Sequence, residues 1–235
     1  RSITKTIFCT ADDELRPVMN GIFMDITEQG LAMVATDAHR MVRFSNQAVQ
    51  GQAFSFILPK KPAMILKNTL GKADTEVAVE AGEKNIRFTF GDTLLVCRQI
   101  EGRYPNYNAV IPQNNQNKVV VDKMTIVNAC KRVAVFANTG TSLLKLALTE
   151  NSIKISAQDI DFSTSAEETI ACAYTGEPMA IGFKAPFLIE MLNAVSSDDV
   201  MIALADATRA GLILPTETVE NEELLMLLMP MLMND

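Results

Sequence analysis

The sequence has few of the residues that catalysis and metal binding require. It contains one histidine, His39, and its four cysteines are far apart, with no CxxC pair. A metal site with several histidine ligands is therefore excluded, and no Gly-rich phosphate-binding loop follows an apolar strand. Widely spaced cysteines favour unoxidised thiols in a reducing compartment. We therefore expect a cytoplasmic protein that is not an enzyme and that needs no cofactor or metal ion.

Long apolar runs and an excess of positive charge are also absent. The chain has 235 residues, and no apolar run approaches the roughly 18 residues of a membrane-spanning helix. The formal net charge of -7 argues against tight wrapping of nucleic acid, although it does not exclude a local basic surface. Hydrophobic residues make up 48% of the chain, which is enough for two cores in domains of about 115 residues.

The sequence contains an internal repeat of domain size. The segment NGIFMDITEQGLAMVATDAHRM from Asn20 matches TSLLKLALTENSIKISAQDIDF from Thr141, and residues 58–70 match residues 182–195. Gly21 and Leu143 are offset by 122 residues, and Leu58 and Gly182 by 124, which is the size of a domain and too long for a solenoid unit. The second copy opens with an apolar strand at residues 119–121. Its counterpart would precede residue 1, so we expect the chain to begin inside a domain.

Hydrophobic patterning predicts two helices and two groups of strands in each copy, which is an α+β fold. The boundary is predicted within the Pro- and Asn-rich segment 104–117, read as an extended linker, with domains at residues 1–112 and 113–235. The predicted helices span residues 2–11, 59–70, 123–137 and 186–195. The predicted strands of the first copy span residues 18–26, 31–36, 41–44, 54–58, 77–81, 86–90 and 94–99, and those of the second copy flank its helices in the same way.

Two features of the sequence suggest binding. His39 lies between Asp37 and Arg40. A structural role, as a hydrogen-bonded histidine at a strand end, and a role in binding account for this residue equally well. A catalytic role has no support, because no nucleophile accompanies it. The sequence LLMLLMPMLM at residues 224–233 is too apolar for an ordinary chain end. Methionine side chains adapt to several partners, and an exposed apolar patch indicates an interaction site.

Basic residues recur on or beside the predicted helices. Charged residues on a helix surface are usually there only for solvation. If the helices lined one side of a curved assembly, however, these side chains would contact DNA phosphates and would not recognise the base sequence. The candidate DNA-facing residues are Lys5, Lys60, Lys61, Lys67, Lys123, Lys131 and Arg132.

Four segments together resemble the bacterial DNA polymerase III β subunit family, the sliding clamps. They are VATDAHRM at residues 34–41, EGRYPNY at 101–107, IGFKAPFLIEMLNA at 181–194 and the apolar sequence at 224–233. The resemblance covers essentially the whole chain, as the second and third domains of a three-domain subunit. It implies the DNA-clamp fold, in which tandem domains each hold two helix-plus-antiparallel-sheet units. It also implies a non-enzymatic processivity factor, a homodimeric ring around duplex DNA.

The resemblance further implies a hydrophobic groove between the two domains that binds peptides of DNA polymerases, the clamp loader and repair proteins. The implied peptide-binding residues are Arg16, Met19, Thr36, Ala38, His39, Met41, Pro105, Val110, Thr208, Leu227, Met229, Pro230 and Met231. Val135 and Phe136 would lie at the subunit-interface edge, and without a first domain we expect this chain to be a monomer. Ala38, Ala109, Lys184 and Leu232 depart from residues common in the family. A peptide-binding α+β module without a DNA role is the alternative interpretation, and a hydrolase using His39 is the third.

Overall fold

A computed structural model describes residues 1–49, 51–70 and 76–233. The chain divides into two compact units. Unit 1 comprises Arg1–Val110 and Val219–Glu223, and unit 2 comprises Ile111–Thr218 and Leu224–Asp235. The assignment of residues 1–112 and 113–235 as two clamp domains stays a prediction. No described helix is long and apolar enough to cross a membrane.

Unit 1 consists of two helices and two antiparallel sheets among its described residues. The sheets have the strand orders β4-β1-β2-β3 and β5-β6-β7. Helix α1 spans Ser2–Thr6 and continues as a 3-10 turn at Ile7–Cys9, and α2 spans Lys60–Leu70. The strands are β1 Gly21–Thr27, β2 Gly30–Thr36, β3 Arg40–Asn46, β4 Phe54–Pro59, β5 Ala78–Ala81, β6 Asn85–Phe90 and β7 Thr93–Arg98.

The core of unit 1 follows from the two periodicities of its sequence. In β1, Ile22, Met24 and Ile26 alternate inward, as side chains of a strand with one covered face do. In α2, Ala63 and Leu66 are three residues apart and share the buried face of the helix. The strands of the second sheet contribute further buried aromatic and aliphatic side chains, so both sheets and α2 share one core.

Unit 2 repeats this plan with one additional strand at its start. Its sheets have the orders β11-β10-β9-β12 and β15-β14-β13-β8. The helices are α3 Lys123–Ala134 and α4 Ala185–Ala194. The strands are β8 Asn117–Asp122, β9 Leu143–Thr149, β10 Ser152–Asp159, β11 Thr164–Ala171, β12 Met179–Lys184, β13 Asp199–Leu204, β14 Gly211–Pro215 and β15 Glu222–Leu228, whose first two residues belong to unit 1.

Two backbone bridges join the two sheets of unit 2. At one side, Val120 and Ala173 exchange backbone hydrogen bonds of 3.0 and 2.8 Å. At the other, the backbone N–H of Met231 donates to the carbonyl oxygen of Gly182 at 2.8 Å. The residues after β15 therefore leave one sheet and reach the edge strand of the other.

Unit 1 contains a cavity beside its second sheet, and unit 2 has a strand before its first helix. In unit 2, β8 precedes α3, pairs with β13 and buries Val119 and Val121. Among the described residues no strand precedes α1, and a cavity of about 350 Å³ lies beside β5, lined by Ile3, Val79 and Phe88 among others. Of the predicted functional residues, only Lys67 lines the cavity.

Three predicted elements were wrong in extent. The helix predicted over residues 2–11 ends by Cys9, because Thr10 is extended and its hydroxyl donates to the carbonyl of Ile7 at 2.8 Å. The strand predicted from residue 18 begins at Gly21, because the chain forms a 3-10 turn at Pro17–Met19. The helix predicted to residue 137 ends at Ala134.

The segment predicted as an extended linker, residues 104–117, is also more ordered than expected. Tyr104 is buried, a 3-10 turn spans Tyr107–Val110, and Asn117 already belongs to β8. Its proline and asparagine content indicated a loop correctly, but the packing of one aromatic side chain holds that loop in place.

Candidate functional site

One four-residue turn, Asp-x-x-Arg, occurs three times and carries a predicted peptide-binding residue each time. In every copy, one aspartate oxygen accepts hydrogen bonds from two backbone N–H groups, and the other pairs with the Nε of the arginine. The Oδ2–Nε distances are 2.8 Å for Asp13–Arg16, 2.9 Å for Asp37–Arg40 and 3.1 Å for Asp206–Arg209. Sequence reasoning missed this turn, although the spacing occurs at only these three places in the sequence.

The hydrogen bonds of the turns also perturb their aspartates. The side-chain hydrogen bond from Arg16 holds the pKa of Asp13 below its usual value. For Asp206, the hydroxyl of Thr208, whose Oγ1 lies 2.7 Å from Oδ1, lowers the pKa most. Both carboxylates therefore stay ionised at a lower pH than an ordinary aspartate does.

The second turn differs from the other two because its arginine is buried. The side chain of Arg40 is 8% exposed, and its Nη2 donates to the carbonyl of Phe8 at 3.0 Å while its guanidinium lies 5.6 Å from the ring of that residue. Thr36 donates to the carbonyl of Arg40 at 2.8 Å and accepts from the backbone N–H of Ala38 at 3.1 Å. Ala38 and His39 are thus exposed on a turn that is fixed from beneath.

The first and second turns lie at the same end of a sheet in unit 1. Because Phe23 of β1 pairs with Val34 of β2, the start of β1 lies beside the end of β2. The first turn leads into β1, and the second connects β2 to β3. The structure therefore brings five predicted peptide-binding residues to this end of unit 1, namely Arg16, Met19, Thr36, Ala38 and His39.

Tyr104, which precedes the predicted residue Pro105, packs against the same strands. Its ring stacks on Phe23 with 4.9 Å between centroids, and its hydroxyl donates to the carbonyl of Val34 at 3.4 Å. Burial raises the pKa of Tyr104 well above its usual value, so this hydroxyl remains a donor at neutral pH. Pro105 is exposed beside it, and Val110, at the end of the following 3-10 turn, is 57% exposed.

Two predicted residues are not surface residues of their own units. Met41 in unit 1 is 2% exposed and Leu227 in unit 2 is 4% exposed. Within its unit, each supports neighbouring residues from beneath and does not form part of the exposed surface.

In unit 2, the third turn and the end of β15 lie together. Thr208 is exposed in the turn between β13 and β14, and Leu228, the last residue of β15, pairs with the first residue of β14. The side chain of Asn115 braces this end by donating two 2.9 Å hydrogen bonds to backbone carbonyls on either side of the turn.

We call residues 229–233, which follow β15, the tail. Met229 is 44% exposed and Leu232 is 88% exposed, while Pro230 and Met231 are half-buried. The bridge from Met231 to Gly182 sets the course of the tail across unit 2. Within unit 2, Thr208, Met229, Pro230 and Met231 are therefore presented around one end of the sheet that contains β15.

Positive charge is concentrated on the helices. In the described part of the chain, α1 packs against α2 and α3 against α4. These four helices contain seven basic residues and one acidic residue, a net charge of +6. Because the whole chain has a net charge of -7, the remainder carries -13. The seven basic residues are those predicted to face DNA.

One of these basic residues already has a strong partner. Arg132 donates two hydrogen bonds to Glu168 on β11, at 3.0 and 2.6 Å. That pairing raises the pKa of Arg132 and lowers the pKa of Glu168. The lysines of α2 are exposed, so they are better placed than Arg132 to contact an external phosphate.

The predicted subunit-interface residues belong to a larger apolar surface. Val135 is 78% exposed and Phe136 is 40% exposed, just after α3. The turn after β10 adds Ile160 and Phe162, which are 80% and 74% exposed and which sequence reasoning missed. The signal in the sequence is two apolar residues, Ile160 and Phe162, on either side of a charged one in a turn.

Asp159 ties the two parts of this surface together. It is 4% exposed, and it accepts a 3.3 Å hydrogen bond from the side chain of Asn138, beyond the end of α3. It also accepts from the backbone N–H groups of Asp161 and Phe162, which fixes the turn that carries the exposed side chains. Within residues 1–49, 51–70 and 76–233, no group of three or more His, Cys, Asp or Glu side chains is arranged to hold a metal ion.

Two successive units, each with a helix pair and two antiparallel sheets, define the DNA-clamp class of α+β proteins. Family models describe the central domain of the DNA polymerase III beta subunit at residues 1–106 and the C-terminal domain at residues 108–232. The chain belongs to the DNA polymerase III beta subunit family. The resemblance and the fold class inferred from the sequence are thereby confirmed.

Similar proteins cover almost the whole chain. The beta sliding clamps of Pseudomonas aeruginosa and Escherichia coli K12 are 28% and 30% identical over 98% and 88% of it. The chain spans 62% and 57% of the length of these relatives. A crystal structure of the Pseudomonas aeruginosa sliding clamp with ligand matches 99% of the chain and 63% of that clamp, with a TM-score of 0.94 and 27% identity. A Bartonella birtlesii sliding clamp bound to griselimycin matches the same shares, with a TM-score of 0.91 and 30% identity.

Proposed function

We propose that the chain acts as part of a DNA sliding clamp, a processivity factor that is not an enzyme and that holds partner proteins on duplex DNA in the cytoplasm. The observation that carries this proposal is the apolar tail, which leaves Met229 and Leu232 exposed in a chain of the clamp family. An exposed apolar segment at a chain end is best explained by a partner that covers it.

The partners proposed for this surface are peptide segments of DNA polymerases, the clamp loader and repair proteins. The peptide-binding residues are the thirteen inferred from the sequence, with Met41 and Leu227 in supporting positions. The Bartonella birtlesii sliding clamp has been solved with griselimycin bound, which supports the presence of a ligand-binding site in proteins of this family. Covering three or four apolar side chains would contribute roughly 1.5–3 kcal/mol each before ordering costs, which is consistent with micromolar affinity.

A matched pair of methionine substitutions tests the tail. Met229 is 44% exposed in the tail, and Met124 is 56% exposed on α3, outside the proposed site. Met229→Ala should weaken the binding of griselimycin, or of a polymerase-derived peptide, about tenfold by calorimetry, because it removes contact area worth about 1.4 kcal/mol. Met124→Ala should leave the affinity unchanged. Equal affinities for both variants would refute the assignment of the tail.

The proposed contact with DNA depends on the helices. Their net charge is +6 and that of the rest of the sequence is -13, so the helices are the part of the chain whose net charge favours contact with phosphates. Contacts of this kind are independent of base sequence and weaken as salt increases. In a subunit of the relatives' full length, they would permit sliding along a duplex.

Two triple substitutions with the same change in net charge test this proposal. Each variant is mixed with a fluorescent duplex, and the anisotropy is followed as salt is increased. The helix variant replaces Lys60, Lys61 and Lys67 by serine, and the control replaces Lys84, Lys118 and Lys145, which lie outside the helices. The helix variant should lose affinity and show a shallower salt dependence than the control. Identical curves would favour the alternative, a peptide-binding module without a DNA role.

The surface formed by Val135, Phe136, Ile160 and Phe162 is proposed as the subunit-interface edge of a homodimeric clamp. It lies next to β11, which is the edge strand of its sheet and is therefore available for pairing. The 235-residue chain by itself is expected to be a monomer. Light scattering that showed a stable closed dimer would contradict this expectation.

A further inference from the structure

We propose that Gly182 is a positioning residue that fixes the tail against β12 and thereby sets its affinity for peptides. This inference rests on the proposed function of the tail in peptide binding. It assigns a role to a residue that is outside the proposed peptide-binding set.

The tail depends on β12 after it leaves its own strand. β15 ends at Leu228, and Pro230 has no N–H group with which to extend that pairing. At the next residue, the N–H of Met231 donates to the carbonyl of Gly182 at 2.8 Å. β12 pairs with β9 along its other edge, so its position is fixed independently of the tail.

The tail approaches position 182 so closely that a Cβ atom there would force its neighbours to move. A Cβ atom there would lie 2.8 Å from Cδ1 of Leu143, 2.9 Å from Cγ of Met233 and 3.1 Å from the carbonyl oxygen of Met231. Ordinary carbon contacts are about 3.5–4.0 Å. The backbone of Gly182 is not in the left-handed region, so space and not conformation opposes a side chain here.

A side chain at position 182 would therefore displace the tail. Leu143 can move aside, because it is the end of a flexible side chain, but the carbonyl of Met231 belongs to the tail backbone. A shift of that carbonyl by a few tenths of an ångström would weaken the adjacent hydrogen bond and loosen the course of the tail, including the proposed contacts Met229 and Pro230. A peptide would then have to order the tail as it binds, and that ordering lowers affinity.

The test compares Gly182→Ala with Gly82→Ala, a matched change in a turn of unit 1. A Cβ at Gly82 would have its nearest contact at 3.5 Å, which is ordinary packing. Hydrogen exchange at the Met231 amide should become about tenfold faster in Gly182→Ala and stay unchanged in Gly82→Ala. Exchange at Ile181, on β12 itself, should stay slow, which a general loss of stability would not allow.

Binding is measured on the same variants with griselimycin as the probe. Gly182→Ala should bind about tenfold more weakly than the unsubstituted chain, a difference of about 1.4 kcal/mol. Unchanged exchange at Met231 would overturn the inference, and so would faster exchange without a loss of affinity. If Gly182→Ala does not fold, Met233→Ala removes part of the same contact without changing β12, and its Met231 amide must also exchange faster. If the unsubstituted chain does not bind griselimycin, the proposed function fails, while the exchange experiment still tests the anchor.

Discussion

Replacing Arg40 by methionine should destabilise unit 1 severely. The substitution keeps most of the apolar stem but removes the ion pair with Asp37, the 3.0 Å hydrogen bond to the carbonyl of Phe8 and the contact with its ring. Breaking a buried pair costs about 3–5 kcal/mol. Asp37 is 15% exposed and keeps two backbone donors, so we expect a smaller loss of about 2–4 kcal/mol in the free energy of unfolding.

Urea denaturation followed by circular dichroism measures this loss. With a slope of about 2 kcal/mol per molar urea, the midpoint should fall by about 1–2 M. Arg209→Met is the matched control, because Arg209 forms the same turn and ion pair but its side chain is 68% exposed. Exposed pairs contribute little, so the control should not shift the midpoint measurably. Equal shifts for the two variants would refute the argument that burial distinguishes the turns.

Three further predictions concern single residues. Ala38 has a φ of 74°, so Ala38→Gly should stabilise unit 1 by up to about 1 kcal/mol in the same assay, because relief of strain exceeds the entropic loss; a loss of stability would contradict this. Asp122→Ala should remove about 1 kcal/mol at neutral pH, because it removes the cap of α3. Hydrogen bonds from Thr125 lower the pKa of Asp122. The difference in stability between the unsubstituted chain and Asp122→Ala should therefore persist above about pH 4 and disappear as the pH falls through the lowered pKa. Burial raises the pKa of Cys130 to about 12, so iodoacetamide at pH 8 should modify the half-buried Cys172 before Cys130, as mass spectrometry would show.

The strands were predictable from the sequence because their periodicity is local. Residues 31–36 and 86–90 were assigned by alternation and differ from β2 and β6 by one residue at one end. Helix ends were harder to predict. At Thr10 the backbone is extended and the side-chain hydroxyl bonds to the carbonyl of Ile7, and this local hydrogen bond ends the helix early.

The sequence allowed candidate residues of the site to be named, but it did not show which of their side chains are buried and which are exposed. Three Asp-x-x-Arg segments form the same turn because their hydrogen bonds are local, yet Arg40 is buried and Arg209 is exposed. That difference depends on Phe8, thirty-two residues away in the sequence. The role of Gly182 was hidden for the same reason, because Met231 and Met233 reach it only after folding.

The discontinuity of unit 1 limits how it can be produced alone. Residues 219–223 return to it after the chain has passed through unit 2. They supply the ion pairs of Glu222 with Arg1 and of Glu223 with Arg43, and the carbonyl of Asn221 accepts from Gln47. A recombinant piece ending at residue 110 would lack all three interactions. A better excision would graft residues 219–223 onto that piece through a short flexible connector.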